Sequence, residues 1–328
     1  MAIIEVDHLC REFTYYEKAE GVTGSLRNLF ARKKRVKNAV NSISFTIEEG
    51  ATVGFLGPNG AGKTTTLKML SGIMHPSAGD ARVIGYVPWQ RKKEFRRSIS
   101  IVMGQRSQLW PDLPALESFN LNRSIYEIDR REYAQTLEEL ISLFGVEAQL
   151  PVQVRRLSLG ERMKMEIIAA LLHRPKVLYL DEPTIGLDLI SQKAIRDLLK
   201  TLKARFGTTV MLTSHYLSDI EDLCERIILI NQGIVMYDGS LAGVNATLAD
   251  RKRINLVFST GVPLSTLQDF PGFSCAQDFS ASFEVPRSEV RAFSQRALQS
   301  LPVIDLTIED TPLEEGIEKL YRTEASHG

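Results

Sequence analysis

The stretch GPNGAGKT, at residues 57–64, has the residue types and spacing of a phosphate-binding loop. It follows the apolar run TVGFL and precedes the helical pattern TTLKML, which is the context that a G-x-x-x-x-G-K-[ST] loop requires. Its glycines let backbone N–H groups surround phosphate oxygens, Lys63 can reach the β- and γ-phosphates, and the Thr64 hydroxyl can bind Mg²⁺. The loop therefore predicts a nucleoside triphosphate site formed by Gly57, Pro58, Asn59, Gly60, Ala61, Gly62, Lys63, Thr64 and Thr65.

Two adjacent acids end a second apolar run, VLYLDEP, at residues 177–183. A buried strand here would deliver Asp181 to the Mg²⁺ shell, where Asp181 acts through coordinated water. Glu182 would then lie nearer the γ-phosphate and could polarise an attacking water. An apolar run ending in Asp-Glu is a weak signal alone, but downstream of a phosphate loop it is a strong one. Together the two motifs predict nucleotide hydrolysis.

The stretch RRLSLGERMK, at residues 155–164, places Ser-Leu-Gly-Glu where a helix begins, far along the chain from the phosphate loop. Ser158 stands at the N-cap position of this helix. A helix N-terminus has free N–H groups and a partial positive charge, so it attracts an anion. The apolar stripe that predicts the helix consists of Met163, Ile167, Ile168, Leu171 and Leu172.

The motifs and their order resemble those of the ATP-binding subunits of ABC (ATP-binding cassette) transporters. The resemblance covers about residues 1–239. Besides the phosphate loop and the Asp181–Glu182 pair, it rests on Gln105 in VMGQ, LSLGE at 157–161 (a signature that is usually LSGGQ), IGLD ending at Asp188, and TSH ending at His215.

This resemblance implies ATP as substrate and Mg²⁺ as its counterion. It implies that Thr64, Gln105 and Asp181 surround the metal, and that Glu182, His215 and Gln105 are catalytic. Among these, His215 would end a strand beside the phosphates and hold the attacking water.

The resemblance also implies a head-to-tail pair of cassettes. Ser158, Gly160 and Asp188 of one subunit would then complete the site around ATP bound by Lys63 of the other. Two residues depart from the family signature: Leu159 replaces a glycine and Glu161 replaces a glutamine. Glu161 brings negative charge near phosphate unless it points away or pairs with a neighbouring cation, and the sequence leaves its role open.

The family usually stacks adenine on an aromatic side chain near the first strand. The motif offset favours Phe13, with Tyr15 and Tyr16 as close competitors.

Short apolar runs alternate with helical patterns, which indicates an α/β domain with a largely parallel sheet. Predicted strands are 52–56, 177–180, 210–213 and 227–230, and a helical insertion occupies about 106–172. With the resemblance, the fold class is a P-loop NTPase of the ABC type at 1–240, followed by a small α+β accessory domain at 250–328. The second domain is expected to contain strands at 254–258, 282–285 and 303–308, a helix opened by Ser288 with Val290, Phe293, Leu298 and Leu301 on one face, and a last helix after Pro312.

The chain of 328 residues has 40 basic and 40 acidic residues, so no global charge favours nucleic acid. Its three cysteines are scattered, as expected in a reducing compartment. A basic insertion at about 21–37 is either a solvated loop or a short amphipathic element on anionic lipid or an acidic partner surface. No apolar run is long enough to span a bilayer, so we expect a cytoplasmic protein, peripheral on the inner face of the membrane.

The hypothesis for function is the ATPase motor of an ABC transporter, with integral membrane permease subunits as partners and a homodimer or a second ABC subunit completing the pair. The phosphate-loop and LDEPTIGLD stretches and the C-terminal unit resemble ABC-2-type exporters. The loop after Gln105 would contact the permease through Trp110 and Leu109, although Trp110 could equally pack in the core. The alternative is a soluble ABC ATPase acting on ribosomes or DNA. This chain lacks the second cassette, the sustained heptads and the cysteine clusters that such soluble proteins carry.

Overall fold

The computed structural model of the chain describes residues 2–16, 34–104, 106–214, 216–248 and 251–310. It divides into two compact units, Met1–Asp238 and Gly239–Gly328.

A six-stranded sheet forms the centre of the first unit. In spatial order its strands are β5 (Ile99–Met103), β6 (Val177–Asp181), β7 (Thr209–Thr213), β3 (Thr52–Leu56), β8 (Arg226–Asn231) and β9 (Ile234–Ser240). The pairs β5–β6, β6–β7, β7–β3 and β3–β8 are parallel, so the carboxyl ends of these five strands lie along one edge. All four strands predicted for this unit are confirmed. They could be recognised because a strand of a parallel sheet is a short apolar run that is buried on both faces.

Helices pack beside this sheet and connect its strands. Those of the core are α1 (Lys63–Leu70), α2 (Lys93–Ser98), α6 (Leu189–Phe206) and α7 (Leu217–Leu223). The segment between β5 and β6 contains three further helices and no strand among its described residues, as predicted: α3 (Ala115–Ile125), α4 (Arg130–Phe144) and α5 (Leu159–Leu171).

A separate three-stranded antiparallel sheet, which the sequence did not predict, comes from the N-terminal region. Its strands are β1 (Ala2–Tyr16), β2 (Lys34–Glu48) and β4 (Ala78–Val83), in the order β2-β1-β4. Its pairing corrects the boundary of the basic insertion, because Tyr16 pairs with Lys34 and residues 34–37 belong to β2. The rest of the predicted insertion, 21–33, lies outside the described residues.

The second unit is a four-stranded antiparallel sheet with helices on one face. Its strands are β10 (Arg251–Phe258), β11 (Phe273–Gln277), β12 (Ser280–Pro286) and β13 (Val303–Asp310), and its described helices are α8 (Leu241–Leu248), α9 (Leu264–Gln268) and α10 (Val290–Ser300). Alternate residues of β10 and β12 pack with α10 in a core that includes Leu256, Phe283 and Phe293. The three predicted strands are confirmed; β11 and α9 were missed.

The predicted helix of this unit needs two corrections. A short 3₁₀ turn, Arg287–Glu289, precedes α10, so Glu289 rather than Ser288 is its N-cap residue. Leu298 is 56% exposed and was wrongly placed on the apolar face; Ala297 is buried in its stead, whereas Phe293 and Leu301 are buried as predicted. The predicted last helix, after Pro312, lies outside the described residues.

Candidate functional site

The phosphate loop joins β3 to α1, and close backbone contacts determine where glycine is required. A Cβ at Gly57 would lie 2.1 Å from the Ile230 carbonyl oxygen, so only glycine fits there. Gly62, the N-cap residue of α1, has φ +110, a conformation that side-chain-bearing residues rarely adopt. No side chain caps this helix end, so its first N–H groups are available to an anion.

Lys63 is 5% exposed and lies within the loop. Its Nζ donates to the carbonyl oxygens of Gly57 at 2.6 Å and Pro58 at 3.2 Å. Burial lowers the pKa of Lys63, while the nearby Glu182 and Asp181 carboxylates act in the opposite direction. A charged ammonium in this position can attract phosphate at little cost in side-chain ordering.

Three oxygen-bearing side chains meet at the end of β6. The Thr64 hydroxyl lies 3.0 and 2.9 Å from the two Asp181 carboxylate oxygens, and the Thr213 hydroxyl donates to Asp181 Oδ1 at 2.8 Å. Mg²⁺ is bound by oxygen ligands. The hydroxyl oxygen of Thr64 and the carboxylate oxygens of Asp181 therefore fit the predicted metal site.

Glu182 adopts a strained backbone conformation with φ +54. Its N–H donates to the Thr213 carbonyl at 3.0 Å and the Thr213 hydroxyl at 3.1 Å, which holds the residue in place. On the other side, a Cβ at Gly104 would lie 2.2 Å from the Glu182 carbonyl oxygen. Left-handed non-glycine residues concentrate at functional sites, and here the strain directs the carboxylate into the nucleotide cleft.

The cleft has a volume of about 250 Å³. It brings together most of the predicted nucleotide-binding residues with Glu182, and its walls consist of Phe13, Lys37, Ala39, Asn59, Gly60, Ala61, Gly62, Lys63, Thr64, Thr65 and Glu182. Lys37, which the sequence did not single out, pairs with Phe13 across the β1–β2 ladder.

Phe13 is the aromatic residue that lines the cleft. The Arg11 guanidinium carbon lies 4.9 Å from the centroid of its ring. Tyr15 and Tyr16 are absent from the cleft walls and are 50% and 53% exposed. The position of Phe13 therefore favours it over both tyrosines as the adenine contact.

Replacing Phe13 by Ala is expected to weaken ATP binding about 5- to 150-fold, because base stacking on an aromatic side chain contributes about 1–3 kcal/mol. Isothermal titration with ATP would measure the change. The matched control, Tyr15→Ala, should leave affinity near that of the unaltered chain. A larger loss in Tyr15→Ala than in Phe13→Ala would contradict the assignment.

The signature helix α5 begins with a complete capping box. The Ser158 hydroxyl accepts from the Glu161 N–H at 3.2 Å, and Glu161 Oε2 accepts from the Ser158 N–H at 2.9 Å and hydroxyl at 2.8 Å. Gln149 donates to Glu161 Oε1 at 3.0 Å. These bonds, led by the Ser158 N–H, lower the pKa of Glu161. These bonds give the Glu161 carboxylate a structural role. The neighbouring cation Lys164 donates its hydrogen bond to the Phe144 carbonyl and not to Glu161.

Gly160 and Asp188 lie at adjoining helix N-termini. The Asp188 carboxylate caps α6 by accepting from the N–H groups of Ile190 and Ser191 at 3.0 and 2.9 Å. A Cβ at Gly160 would lie 2.6 Å from the Ser191 hydroxyl oxygen, so the two helix ends touch. Ser158, Gly160 and Asp188 are all absent from the walls of the nucleotide cleft. The chain thus separates its predicted site residues into two places.

Gln105 and His215, both predicted to be catalytic, lie outside the described residues, but their neighbours are anchored. Gly104 donates its N–H to the Asp181 carbonyl at 2.8 Å. Ser214 donates its hydroxyl to the buried Asp219 carboxylate at 2.6 Å. Both segments therefore approach the end of β6 and β7.

Several positioning residues were missed from the sequence. Thr213 orients both Asp181 and the Glu182 backbone, and pairing the ends of neighbouring strands could have identified it, because it lies opposite Asp181 in register. Asp219 is fully buried and accepts from the hydroxyl of Thr184 at 2.5 Å as well as from Ser214, so it joins the segments after Glu182 and before His215. No spacing in the sequence indicates the contacts of Asp219 with Thr184 and Ser214.

The predicted permease-contacting loop is half confirmed as an exposed surface. Trp110 is 51% exposed. Leu109 is 3% exposed, so the prediction that it belongs to an exposed tip is wrong: its side chain packs inward while the next residue points out. No helix in the described part of the chain has the length and apolar character that a membrane crossing requires.

Two family models match the chain: "ABC transporter" over residues 40–185 and "EvrA-like ABC transporter, C-terminal domain" over residues 250–309. The "ABC transporter ATP-binding protein NatA" of Bacillus subtilis is 36% identical over 212 residues, covering 65% of this chain and 86% of the relative. The "Bacitracin transport ATP-binding protein BcrA" of Bacillus licheniformis is 33% identical, with 66% and 68% covered. The "Nod factor export ATP-binding protein I" of Burkholderia lata is 35% identical, with 62% and 66% covered.

Solved structures share the fold of the first unit. One described as "Structure of ATP binding subunit of ABC transporter" superposes with a TM-score of 0.61 at 25% identity, covering 75% of this chain and 93% of that structure. A second, a dimeric ATP-binding cassette bound to ADP and Pi, has a TM-score of 0.60 at 24% identity, with 73% and 98% covered. The architecture is thus that of a P-loop ATPase cassette with a helical insertion, followed by a small α+β unit.

Proposed function

The chain belongs to the ATP-binding proteins of ABC transporters, and from this premise we propose that it is the motor subunit of an ABC-2-type exporter. As a member of this family it hydrolyses ATP and couples hydrolysis to transport. The observation that carries the proposal is the division of its site: Lys63, Thr64 and Glu182 share one cleft, whereas Ser158 and Gly160 lie outside that cleft. Such a division suits an ATPase that acts as a pair.

Export is supported by the Nod factor export protein, which carries that role in its name. The bacitracin protein is named for transport, and this chain resembles each of the two over about two thirds of its length. The match of residues 250–309 to the C-terminal domain of an ABC transporter extends the likeness to the second unit. We accordingly propose a division into an ATPase domain at 1–240, with a helical subdomain at about 106–172, and an accessory domain at 250–328.

Mg²⁺ is proposed to accompany ATP, with Thr64, Asp181 and Gln105 around it. Bound there, the metal would neutralise charge on the phosphates and orient the γ-phosphate for attack. Lys63 holds the β- and γ-phosphate oxygens, Phe13 stacks against adenine, and Glu182 orients the attacking water and accepts its proton. His215 would hydrogen-bond the γ-phosphate from the end of β7.

A head-to-tail partner completes the proposed site. Ser158, Gly160 and Asp188 of one subunit would face the ATP held by Lys63 of the other, which is a second copy of this chain or a related ABC subunit. Leu189 and Ile190 follow Asp188 and are 82% and 83% exposed, an apolar surface that a partner would remove from water. The dimeric form of a structurally similar cassette is consistent with this arrangement.

The conformational change driven by ATP is proposed to act on integral membrane permease subunits. The chain would therefore lie at the inner face of the membrane, and no nucleic acid partner is proposed. Trp110 supplies an exposed aromatic side chain on the loop after Gln105, and aromatic residues are enriched at protein interfaces. The substrate is selected by the permease and is not encoded in this chain.

Replacing Trp110 by Glu is expected to weaken binding to the permease about 30-fold or more, because an interface aromatic residue typically contributes about 2 kcal/mol or more. The chain would be co-expressed with its cognate membrane subunits, and its share in the membrane fraction would be measured. Ile73→Glu is the matched control, since Ile73 is 52% exposed and Trp110 51%. Full recruitment and transport by Trp110→Glu would contradict the proposed contact, provided that the control is recruited normally.

A further inference from the structure

Glu166 is a buried carboxylate in the middle of α5 that the nucleotide cleft does not use. It is 3% exposed. Its Oε1 accepts from the Ser107 hydroxyl at 2.5 Å, and its two oxygens lie 3.0 and 3.2 Å from the Gln108 N–H. The carboxylate therefore fastens the segment that follows Gln105 to the helix that begins at Ser158.

The next residues of this loop are fastened to the segment that leads into α5. The Arg155 N–H donates to the Pro111 carbonyl at 2.9 Å, and the Val154 N–H donates to the Leu113 carbonyl at 3.1 Å. The Arg155 guanidinium also lies 2.9 Å from the Asp112 carboxylate. Residues 107–113, which we term the anchored loop, thus contact α5 at its middle and just before its N-terminus.

Burying a carboxylate is costly unless donors surround it, and an apolar residue would fill the same space more cheaply. Burial raises the pKa of Glu166, and the donors on Ser107 and Gln108 act against that rise. Because the capping box is complete without Glu166, the helix does not need this carboxylate to begin or end. The bonds that Glu166 makes serve the anchored loop.

We propose that Glu166 is a positioning residue that makes the anchored loop and α5 move as one body, so that a displacement at Trp110 reaches Ser158 and Gly160. The inference rests on the proposed function, because it takes Trp110 as the permease contact and the N-terminus of α5 as the nucleotide contact. The coupling acts in both directions: docking of ATP on Ser158 changes the surroundings of Trp110.

Trp110 is itself the reporter for the test. The chain has two tryptophans, so Trp89→Phe leaves Trp110 as the single tryptophan, which is excited at wavelengths that the nine tyrosines do not absorb. Glu182→Gln is added to this background to preserve ATP-bound pairs. Acrylamide quenching of Trp110 is measured with and without Mg-ATP, and pairing is followed in the same samples by light scattering. ATP is expected to change the quenching constant in this parent.

Glu166→Gln is expected to abolish most of that ATP-induced change while ATP-dependent pairing persists. The amide keeps the volume of the side chain but offers one acceptor oxygen instead of two. With that oxygen on the Ser107 hydroxyl, the NH₂ group is brought against the Gln108 N–H. Ser107→Ala, which removes only the hydroxyl that donates to Glu166, should reduce the response too. Adding it to Glu166→Gln should cause little further loss. The surface change Glu138→Gln on α4 is the control and should leave the response intact.

A full Trp110 response in both Glu166→Gln and Ser107→Ala overturns the inference, and so does a parent that forms ATP-dependent pairs without any Trp110 response. A parent that forms no ATP-dependent pair contradicts the proposed function instead, and the inference falls with it. The melting temperature and the light scattering together distinguish loss of coupling from loss of folding. A partly unfolded variant has a lowered melting temperature and also loses ATP-dependent pairing, whereas a variant that loses only the coupling keeps both.

Discussion

Replacing Glu182 by Gln is expected to lower the rate of ATP hydrolysis about 10²- to 10⁴-fold while ATP affinity stays near that of the unaltered chain. The amide cannot accept the proton of the attacking water, but it keeps the size of the side chain. The two bonds from the Glu182 N–H to Thr213 involve the backbone, so they survive the change. Phosphate release under saturating ATP measures turnover, and isothermal titration measures binding.

Two comparison variants make this result specific. Lys63→Ala should weaken nucleotide binding itself, because it removes the ammonium that lines the cleft. Glu147→Gln, a change of the same chemistry at an exposed position, should alter neither quantity. Near-normal turnover in Glu182→Gln would remove Glu182 from its assigned role.

Replacing Ser158 by Arg is expected to abolish hydrolysis while ATP still binds to Lys63 of the same molecule. The arginine would place a bulky side chain where the partner's γ-phosphate docks, and Ser158 is not part of the cleft that first binds ATP. ATP titration and phosphate release would be measured on the same preparation. Loss of ATP binding in parallel with hydrolysis would count against a docking role.

Ser158→Ala, compared with Ser158→Arg, shows how much of the effect comes from loss of the hydroxyl and of the cap. Ser158 caps α5 through the Glu161 N–H, and loss of an N-cap side chain costs about 1 kcal/mol of stability. We expect Ser158→Ala to lower the melting temperature modestly while retaining part of the hydrolysis. Equal inactivity in both variants would assign the effect to capping if the melting temperature of Ser158→Ala fell steeply, and to loss of the docking hydroxyl if it fell only modestly.

The parallel sheet could be predicted because its strands are short, buried and apolar on both faces. Val177–Asp181 and Thr52–Leu56 are visible in the sequence for this reason. The antiparallel sheet could not be predicted, because β1 is interrupted by several register shifts and its partners lie far along the chain. The half-exposed β11 likewise lacks an alternating apolar pattern that would mark a strand.

The site follows the same division. Lys63, Thr64 and Glu182 occur in contiguous motifs, so their meeting in one cleft was expected from the sequence. Thr213 and Glu166 act through contacts between segments that are 32 and 59 positions apart in the chain, and only the folded structure brings those segments together. Glu161 shows the converse: its charge seemed unfavourable beside phosphate, yet its bonds are local and close the capping box.

The central claim is that each ATP site is shared between two subunits, and mixing Ser158→Arg chains with Lys63→Ala chains tests it most directly. In a mixed pair one composite site carries both lesions and the other carries neither. After subunit exchange has been verified, hydrolysis is measured in a single turnover as well as at steady state. We predict that each variant alone is inactive and that the mixture hydrolyses ATP. A verified mixture that hydrolyses no ATP even in a single turnover would contradict the shared site.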